Sequence, residues 1–128
     1  METGPLPTTP DAYNDHGQKT GLWADADPHG GVMVGEYVED LRQGEWRHFS
    51  KDGRLRSHGS FLDGVLDGAW TWYRASGKLM QRGGFLRGAK HGVWERWNST
   101  DAPIDRGAFE NGRKIGEWHT LNPDGSVK

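Results

Sequence analysis

The side chains with most capacity for chemistry in this chain are basic. Arg47, His58, Arg82, Arg106 and His119 recur at intervals that would set them side by side on paired strands. A guanidinium presents a planar fork of donors, so a row of them suits an acidic peptide, an anionic head group or a phosphorylated ligand. Bond-making chemistry has little to work with. The chain holds no cysteine, no Gly-x-Ser-x-Gly elbow, no phosphate loop and no His-x-x-x-His pair, and its six histidines are scattered. A zinc site would require a pair such as His48 and His58 to converge. These residues lead us to expect a protein that is not an enzyme and carries no cofactor or metal.

Composition narrows the class. The formal net charge of −2 gives no general basic field, so nucleic acid is not an expected partner. Residues 1–18 carry Pro5, Pro7 and Pro10 among polar residues and lack an apolar stretch, which reads as a disordered leader and not a secretory signal. No run approaches the roughly 18 apolar residues of a membrane span. The expected setting is cytoplasmic. Hydrophobic residues make up only 33%, too few for a thick core, yet there are seven Trp, four Phe, three Tyr and 20 Gly. Many tight turns and many rings are the natural reading.

Those rings keep step. Trp46, Trp70, Trp94 and Trp118 are each 24 positions apart, and Gly44, Gly68, Gly92 and Gly116 follow the same interval. So do Gly59, Gly83 and Gly107, then Phe61, Phe85 and Phe109, then Gly64, Gly88 and Gly112. A fixed period of this length marks a repeat architecture. Each unit reads as a strand at residues 44–49, a turn at Asp52-Gly53, a second strand from Leu55 to Phe61, and a turn at Asp63-Gly64. Asp-Gly suits a type I′ hairpin, whose two central residues need φ > 0. Ser76-Gly77 and Asp124-Gly125 repeat the first turn, while Asp101 and Asp40 stand where turn glycines are expected. The first unit loses a residue near Pro28-His29-Gly30. The fold expected is all-β: a single twisted antiparallel sheet of tandem 24-residue β-hairpin repeats over residues 19–128, about four full repeats and a C-terminal half-repeat.

Centring the hairpin on residues 52 and 53 pairs Trp46 with Gly59 and Phe61 with Gly44. Continuing across the sheet predicts a row Trp46, Gly59, Trp70, Gly83, Trp94, Gly107, Trp118. A second row runs Gly44, Phe61, Gly68, Phe85, Gly92, Phe109, Gly116. Directly paired residues share a face, so rings and bare backbone form a checkerboard in which each ring lies flat over a glycine.

The spacing Gly59-x-Phe61-x-x-Gly64-x-x-x-Gly68-x-Trp70, repeated at Gly83 to Trp94 and Gly107 to Trp118, resembles the MORN repeat (membrane occupation and recognition nexus) over about residues 21–128. The longer unit with a second hairpin turn looks most like the bacterial YwqK-type antitoxin variant. The resemblance implies a solenoid of hairpins and a role in protein contacts, dimerisation or phospholipid binding. Its antitoxin label implies a toxin as partner.

Positions identical in every unit are explained by the scaffold, so the variable positions carry the functional reading. On the reverse face Arg47, His58, Thr71, Arg82, Glu95, Arg106 and His119 fall in register as a mostly basic stripe, either a groove for an acidic partner or an ordinary solvated face. Beside it Phe49, Arg56, Tyr73, Met80, Trp97, Ile104 and Leu121 form an apolar row, either a partner or dimer surface or a set that the sheet's curl buries. Trp72, a tryptophan outside the period, lies in a polar row with Arg96, either as an interface anchor or packed into the aromatic face. Arg87, Lys90, His91, Arg113 and Lys114 make a loop rim. Asn98-Ser99-Thr100 reads as a loop. The leading expectation is a protein-binding scaffold, antitoxin- or immunity-like. The alternatives are a binder of acidic lipid or phosphate ligands using Arg47, Arg82 and Arg106, and a homodimer formed through the terminal strands.

Overall fold

Short segments of alternating side chains, each closed by a glycine-bearing turn, have one way to satisfy their backbones: pairing with the segments before and after. The computed structural model describes residues 11–128, and within them the chain forms ten strands and no helix. They are β1 (Ala12–Tyr13), β2 (Lys19–Ala26), β3 (Val32–Val38), β4 (Leu41–Phe49), β5 (Leu55–Leu62), β6 (Val65–Tyr73), β7 (Leu79–Leu86), β8 (Ala89–Trp97), β9 (Pro103–Glu110) and β10 (Arg113–Thr120). All pair antiparallel in chain order from β1 to β10, and the sheet does not close into a barrel. A bridge between Leu121 and Val127 begins a further rung after β10.

Ala12 and Tyr13 pair with Thr20 and Lys19, so residues 11–18 belong to the first hairpin and not to a leader. Residues 1–10 of that expected leader lie outside the described residues. The turns also differ from expectation. Asp52-Gly53 is not type I′: Gly53 N–H donates to Ser50 C=O at 2.8 Å, Ser50 N–H donates to Arg54 C=O at 2.9 Å, and only Gly53 has positive φ. This is a type I turn closed by a left-handed glycine. The type I′ turns lie at the opposite edge, where Glu39-Asp40, Asp63-Gly64, Arg87-Gly88 and Asn111-Gly112 all have both φ values positive. Asp40 and Asp101 adopt the left-handed conformation in place of glycine, which their short polar side chains tolerate. The residue missing from the first unit is lost from a strand: loop 27–31 has the same bonds as loop 50–54, but β2 and β3 lack the bulge seen between β4 and β5.

Register within each expected hairpin is as read from the sequence, with Trp46 opposite Gly59, Gly44 opposite Phe61, Gly68 opposite Phe85 and Gly92 opposite Phe109. Between hairpins it slips. Phe61 faces Leu66 instead of Gly68, Phe85 faces Lys90 instead of Gly92, and Phe109 faces Lys114 instead of Gly116. Three residues on the later strand, such as Gly92, Val93 and Trp94, are set against Gly83 alone. The glycine of each bulge has left-handed φ (+70° at Gly44, +86° at Gly68, +87° at Gly92, +64° at Gly116). These four are therefore required by the backbone and do not make room for a ring, since a Cβ on Gly44, Gly92 or Gly116 meets nothing within 4 Å.

The other glycine series does make room. A Cβ on Gly35, Gly59, Gly83 or Gly107 would lie 2.0–2.2 Å from an atom of Trp46, Trp70, Trp94 or Trp118. Each of those indoles also donates its Nε1–H to the carbonyl of the residue after the glycine it covers: Glu36 at 3.1 Å, Ser60 at 2.9 Å, Gly84 at 3.1 Å and Ala108 at 3.3 Å. Phenylalanines wedge edge-on between successive indoles, with Phe61 5.3 Å from Trp70 and 6.1 Å from Trp46, so the rings form a continuous chain and not isolated plates. Trp46 is wholly buried by this packing in a sheet with no second layer among the described residues.

The two glycine series should respond differently to substitution. Gly83→Ala must displace Trp94 and should cost about 3 kcal/mol or more, whereas Gly92→Ala adds only the strain of a left-handed alanine, about 1–2 kcal/mol. Gly92→Asn should cost less still. Urea unfolding checks the order, and equal losses at Gly83 and Gly92 would contradict the two roles.

Candidate functional site

Because side chains alternate, the aromatic face claims half of each strand and leaves the other half on the reverse face. The basic stripe is assembled there as expected: Arg47 pairs with His58, His58 with Thr71, Thr71 with Arg82, Arg82 with Glu95, Glu95 with Arg106 and Arg106 with His119. Its charge is partly neutralised. Arg82 Nε donates to Glu95 at 3.0 Å and the guanidinium lies 5.2 Å from the Trp97 ring centre. His58 contacts Glu45 through Nδ1 at 3.0 Å and the Tyr73 hydroxyl through Nε2 at 3.1 Å, and stacks on the Tyr73 ring. Arg47 and Arg106 are exposed and make no ion pair among the described residues, so they are the free cations of the row.

The neighbouring apolar row divides. Phe49 and Leu121 are buried, whereas Tyr73 and Trp97 are half-exposed. Its register departs from expectation because Arg56, Met80 and Ile104 sit in bulges; Phe49 faces Leu55, Tyr73 faces Leu79 and Trp97 faces Pro103. Arg56 Nε instead donates to the Tyr73 carbonyl at 3.1 Å and Arg74 to the Trp97 carbonyl at 2.9 Å, which ties down the strand ends carrying the two rings. Between Phe49, Tyr73 and Leu55 the surface dips into a cleft rimmed by Asp52, Gly53, Arg54 and Gly77.

Other expected sites come apart. Trp72 lies in the aromatic face, 6.1 Å from Trp70 and 5.5 Å from Trp94, bridging two rungs. Arg96, on the same face, is held by Asp105 through two bonds of 2.9 and 2.6 Å. The guanidinium beside Asp105 holds that carboxyl below the usual carboxylate range despite partial burial. The loop rim is split between faces, because Lys90 lies 4.6 Å over Trp94 and Lys114 lies 4.5 Å over Trp118. His48 and His58 are adjacent-strand residues on opposite faces, and His48 Nε2 is 2.7 Å from Asp27. That bond, with the backbone N–H groups of His29 and Gly31, holds the Asp27 carboxyl below its usual value.

A set of exposed apolar side chains escaped the sequence reading. Val38 and Leu41, Leu62 and Val65, and Leu86 and Ala89 pair directly beside successive type I′ turns. Their inner neighbours (Tyr37 with Arg42, Phe61 with Leu66, Phe85 with Lys90) belong to the aromatic face, so these six lie on the reverse face. The five larger ones are 43–51% exposed. The 24-residue step from Leu62 to Val38 and to Leu86 is the signal that would have found them.

No family model matches the chain, and no curated protein matches it. Among solved structures it is similar to a mutant of S. aureus TarM in complex with fondaparinux, alpha-GlcNAc-glycerol and UDP, at 11% identity and a TM-score of 0.39. The similarity covers 74% of this chain and 21% of that one, and is too loose to bear on function. No helix among the described residues is long and apolar enough to cross a membrane.

The Arg96–Asp105 pair sets a pH dependence. With its folded pKa below the unfolded value, Asp105 contributes stability that is complete above the ordinary 3.8 and is lost as the pH falls through the lower folded value. Asp105→Asn should flatten the acid limb of a stability curve measured by urea unfolding between about pH 5 and pH 2. At neutral pH it should cost about 1 kcal/mol or less, because Arg96 is largely exposed. A variant curve parallel to the parent would remove the pair from the account.

Proposed function

We propose that this chain is a non-enzymatic protein-binding scaffold that captures a partner on its reverse face. The observation that carries the reading is the pairing of half-exposed Tyr73 and Trp97 with the aligned Arg47, Arg82 and Arg106 on a face that folding leaves uncovered. Half-buried rings with a pre-positioned guanidinium are the usual makings of an interface hot spot, and the sheet beneath holds them without further ordering cost. Of the two histidines in the reverse-face stripe, His58 is already bonded to Glu45 and Tyr73, so it serves to position the Tyr73 ring. The resemblance to antitoxin-type MORN arrays makes a toxin-like protein, occluded or recruited through acidic and apolar groups, the kind of partner this surface suits.

A second reading rests on Arg47 and Arg106, which no acidic side chain among the described residues neutralises: five strand steps, about 24 Å, separate them, so each is free to take an acidic lipid head group or a phosphate of its own. Salt separates the two. A contact made by exposed arginines alone weakens steeply between low and physiological ionic strength, whereas one that buries Tyr73 and Trp97 persists.

Immobilised protein should retain a partner from its source lysate that the triple variant Arg47→Ser, Arg82→Ser, Arg106→Ser retains at least about tenfold less, with Trp97→Ala reducing it comparably. Both variants should unfold at the parent's urea midpoint to within about 1 kcal/mol, because neither residue set builds the aromatic face. Equal retention by parent and variants removes this surface. Binding of vesicles containing acidic phospholipid that disappears at about 0.15 M salt, with no protein retained, favours the lipid reading instead.

A further inference from the structure

The apolar strip beside the type I′ turns lies on other rows than the proposed partner surface, and it has its own pattern. Its four turns stack rigidly, since Gly64, Gly88 and Gly112 donate their N–H groups to the carbonyls of Arg42, Leu66 and Lys90 at 2.8–2.9 Å. The strip is continuous across them. Leu41, Val65 and Ala89 lie within 3.3–4.0 Å of where a Cβ would stand on the glycine of the following turn. With turns two strands apart, the four span about 29 Å.

The apolar pairs are Val38 with Leu41, Leu62 with Val65, and Leu86 with Ala89, and the fourth rung is Glu110 with Arg113. The exposed first residues of the turns are Glu39, Asp63, Arg87 and Asn111. The strip is therefore apolar over its first three rungs and charged on the fourth, with acidic turn residues at Glu39, Asp40 and Asp63 and a basic one at Arg87. Its central half, the second and third turns, is self-complementary under one operation. A two-fold axis between the second and third turns sets Leu62 and Val65 of one copy on Leu86 and Ala89 of the other. It also brings each Asp63 to the other's Arg87, and at the ends it sets Val38, Leu41 and Asp40 against the other's Glu110 and Arg113. A parallel stack would instead bring Asp63 onto Asp63 and Arg87 onto Arg87.

We propose that this turn-edge strip is a self-association surface, on which two copies of the chain dock antiparallel about that axis, with Leu62, Val65, Leu86 and Ala89 at the centre and Asp63–Arg87 contacts on either side. The docking differs from edge-to-edge pairing of terminal strands. It uses side chains near the middle of the array and leaves Tyr73, Trp97 and the arginine stripe for another partner. A strip this narrow buries less than the roughly 800 Å² per partner of a standard stable interface, so the association is micromolar or weaker.

Sedimentation equilibrium of the full chain from about 1 µM to about 1 mM should show monomer passing to dimer, and no further. Leu86→Glu should shift the transition at least about tenfold to higher concentration while unfolding at the parent's urea midpoint, because Glu110 already occupies the corresponding position of the last unit. The decisive arm uses Asp63→Arg and Arg87→Asp. Arg87 itself shows that arginine is accepted at this turn position. Each single variant puts like charges together twice in its own homodimer and should remain monomeric where the parent dimerises. Mixed in equal amounts, the two should form a heterodimer. The arginine introduced in one then meets the aspartate introduced in the other, and the unchanged Arg87 of the first meets the unchanged Asp63 of the second. A parent that stays monomeric throughout overturns the proposal. So does a dimer indifferent to either reversal, or two variants that do not recover association on mixing. None of these outcomes bears on lysate capture through Trp97 and the arginines, which is read separately.

Discussion

An indole lying flat on a glycine of the neighbouring strand is the contact on which the rest of this molecule depends. Strands about 4.8 Å apart leave no height for a ring above any other residue, and a Cβ at Gly83 would stand 2.0 Å from Trp94. The ring keeps water from the backbone beneath it, and its Nε1–H supplies a donor where the bulge interrupts the ladder. Gly92 is the other half of the device. Its left-handed φ lets three residues of β8 oppose one of β7, and the resulting shift delivers Trp94 onto Gly83. Each buried indole contributes on the order of 4–6 kcal/mol of apolar burial to the single layer.

Once stability is supplied from one face, the other is released from that duty. The reverse face can carry Tyr73 and Trp97 half-exposed and Val38, Leu62 and Leu86 more so, with Arg47 and Arg106 unpaired among the described residues. In a layered fold such a concentration of apolar surface would be covered by the second layer. Here it is available for contacts with other molecules, and each unit can vary it without disturbing the next, because packing runs only between adjacent rungs.

Much of the architecture was legible because a 24-residue period repeats everything at once, and a glycine opposite a tryptophan within one hairpin follows from simple pairing. The bulges were not. Gly68 fits a checkerboard as well as it fits a left-handed kink, and only the φ of +86° with Phe61 opposite Leu66 distinguishes them. Asp-Gly fits both turn classes found here. What separates Asp63-Gly64 from Asp52-Gly53 is that Leu62 and Val65 close directly around the first, while five residues intervene between Phe49 and Leu55 in the second. Among the candidate site residues, the Arg47-to-His119 stripe followed from register alone, since both bulges leave that row in step. Trp72 could not be assigned, because its polar register partners Ser57 and Gln81 conceal the indoles above and below it.

Trp72 makes sense when the edges of the aromatic chain are considered. In four units a cation covers the exposed side of a ring: Lys19 over Trp23, Arg42 over Trp46, Lys90 over Trp94 and Lys114 over Trp118, at 4.5–4.7 Å. In the unit of Trp70 that position is Leu66, which offers apolar area but no charge to the ring quadrupole. The same unit carries Trp72 where the others have His48, Arg96 and Thr120, and its indole spans Trp70 and Trp94. A tilted ring pair is worth about as much as an exposed cation over a ring, roughly 1 kcal/mol. Trp72, with ring pairs to both Trp70 and Trp94, therefore supplies this unit with a contact of at least the size that the cation supplies elsewhere. The departure at Trp72 is a local repair of the stack, which directs the search for function to the opposite face.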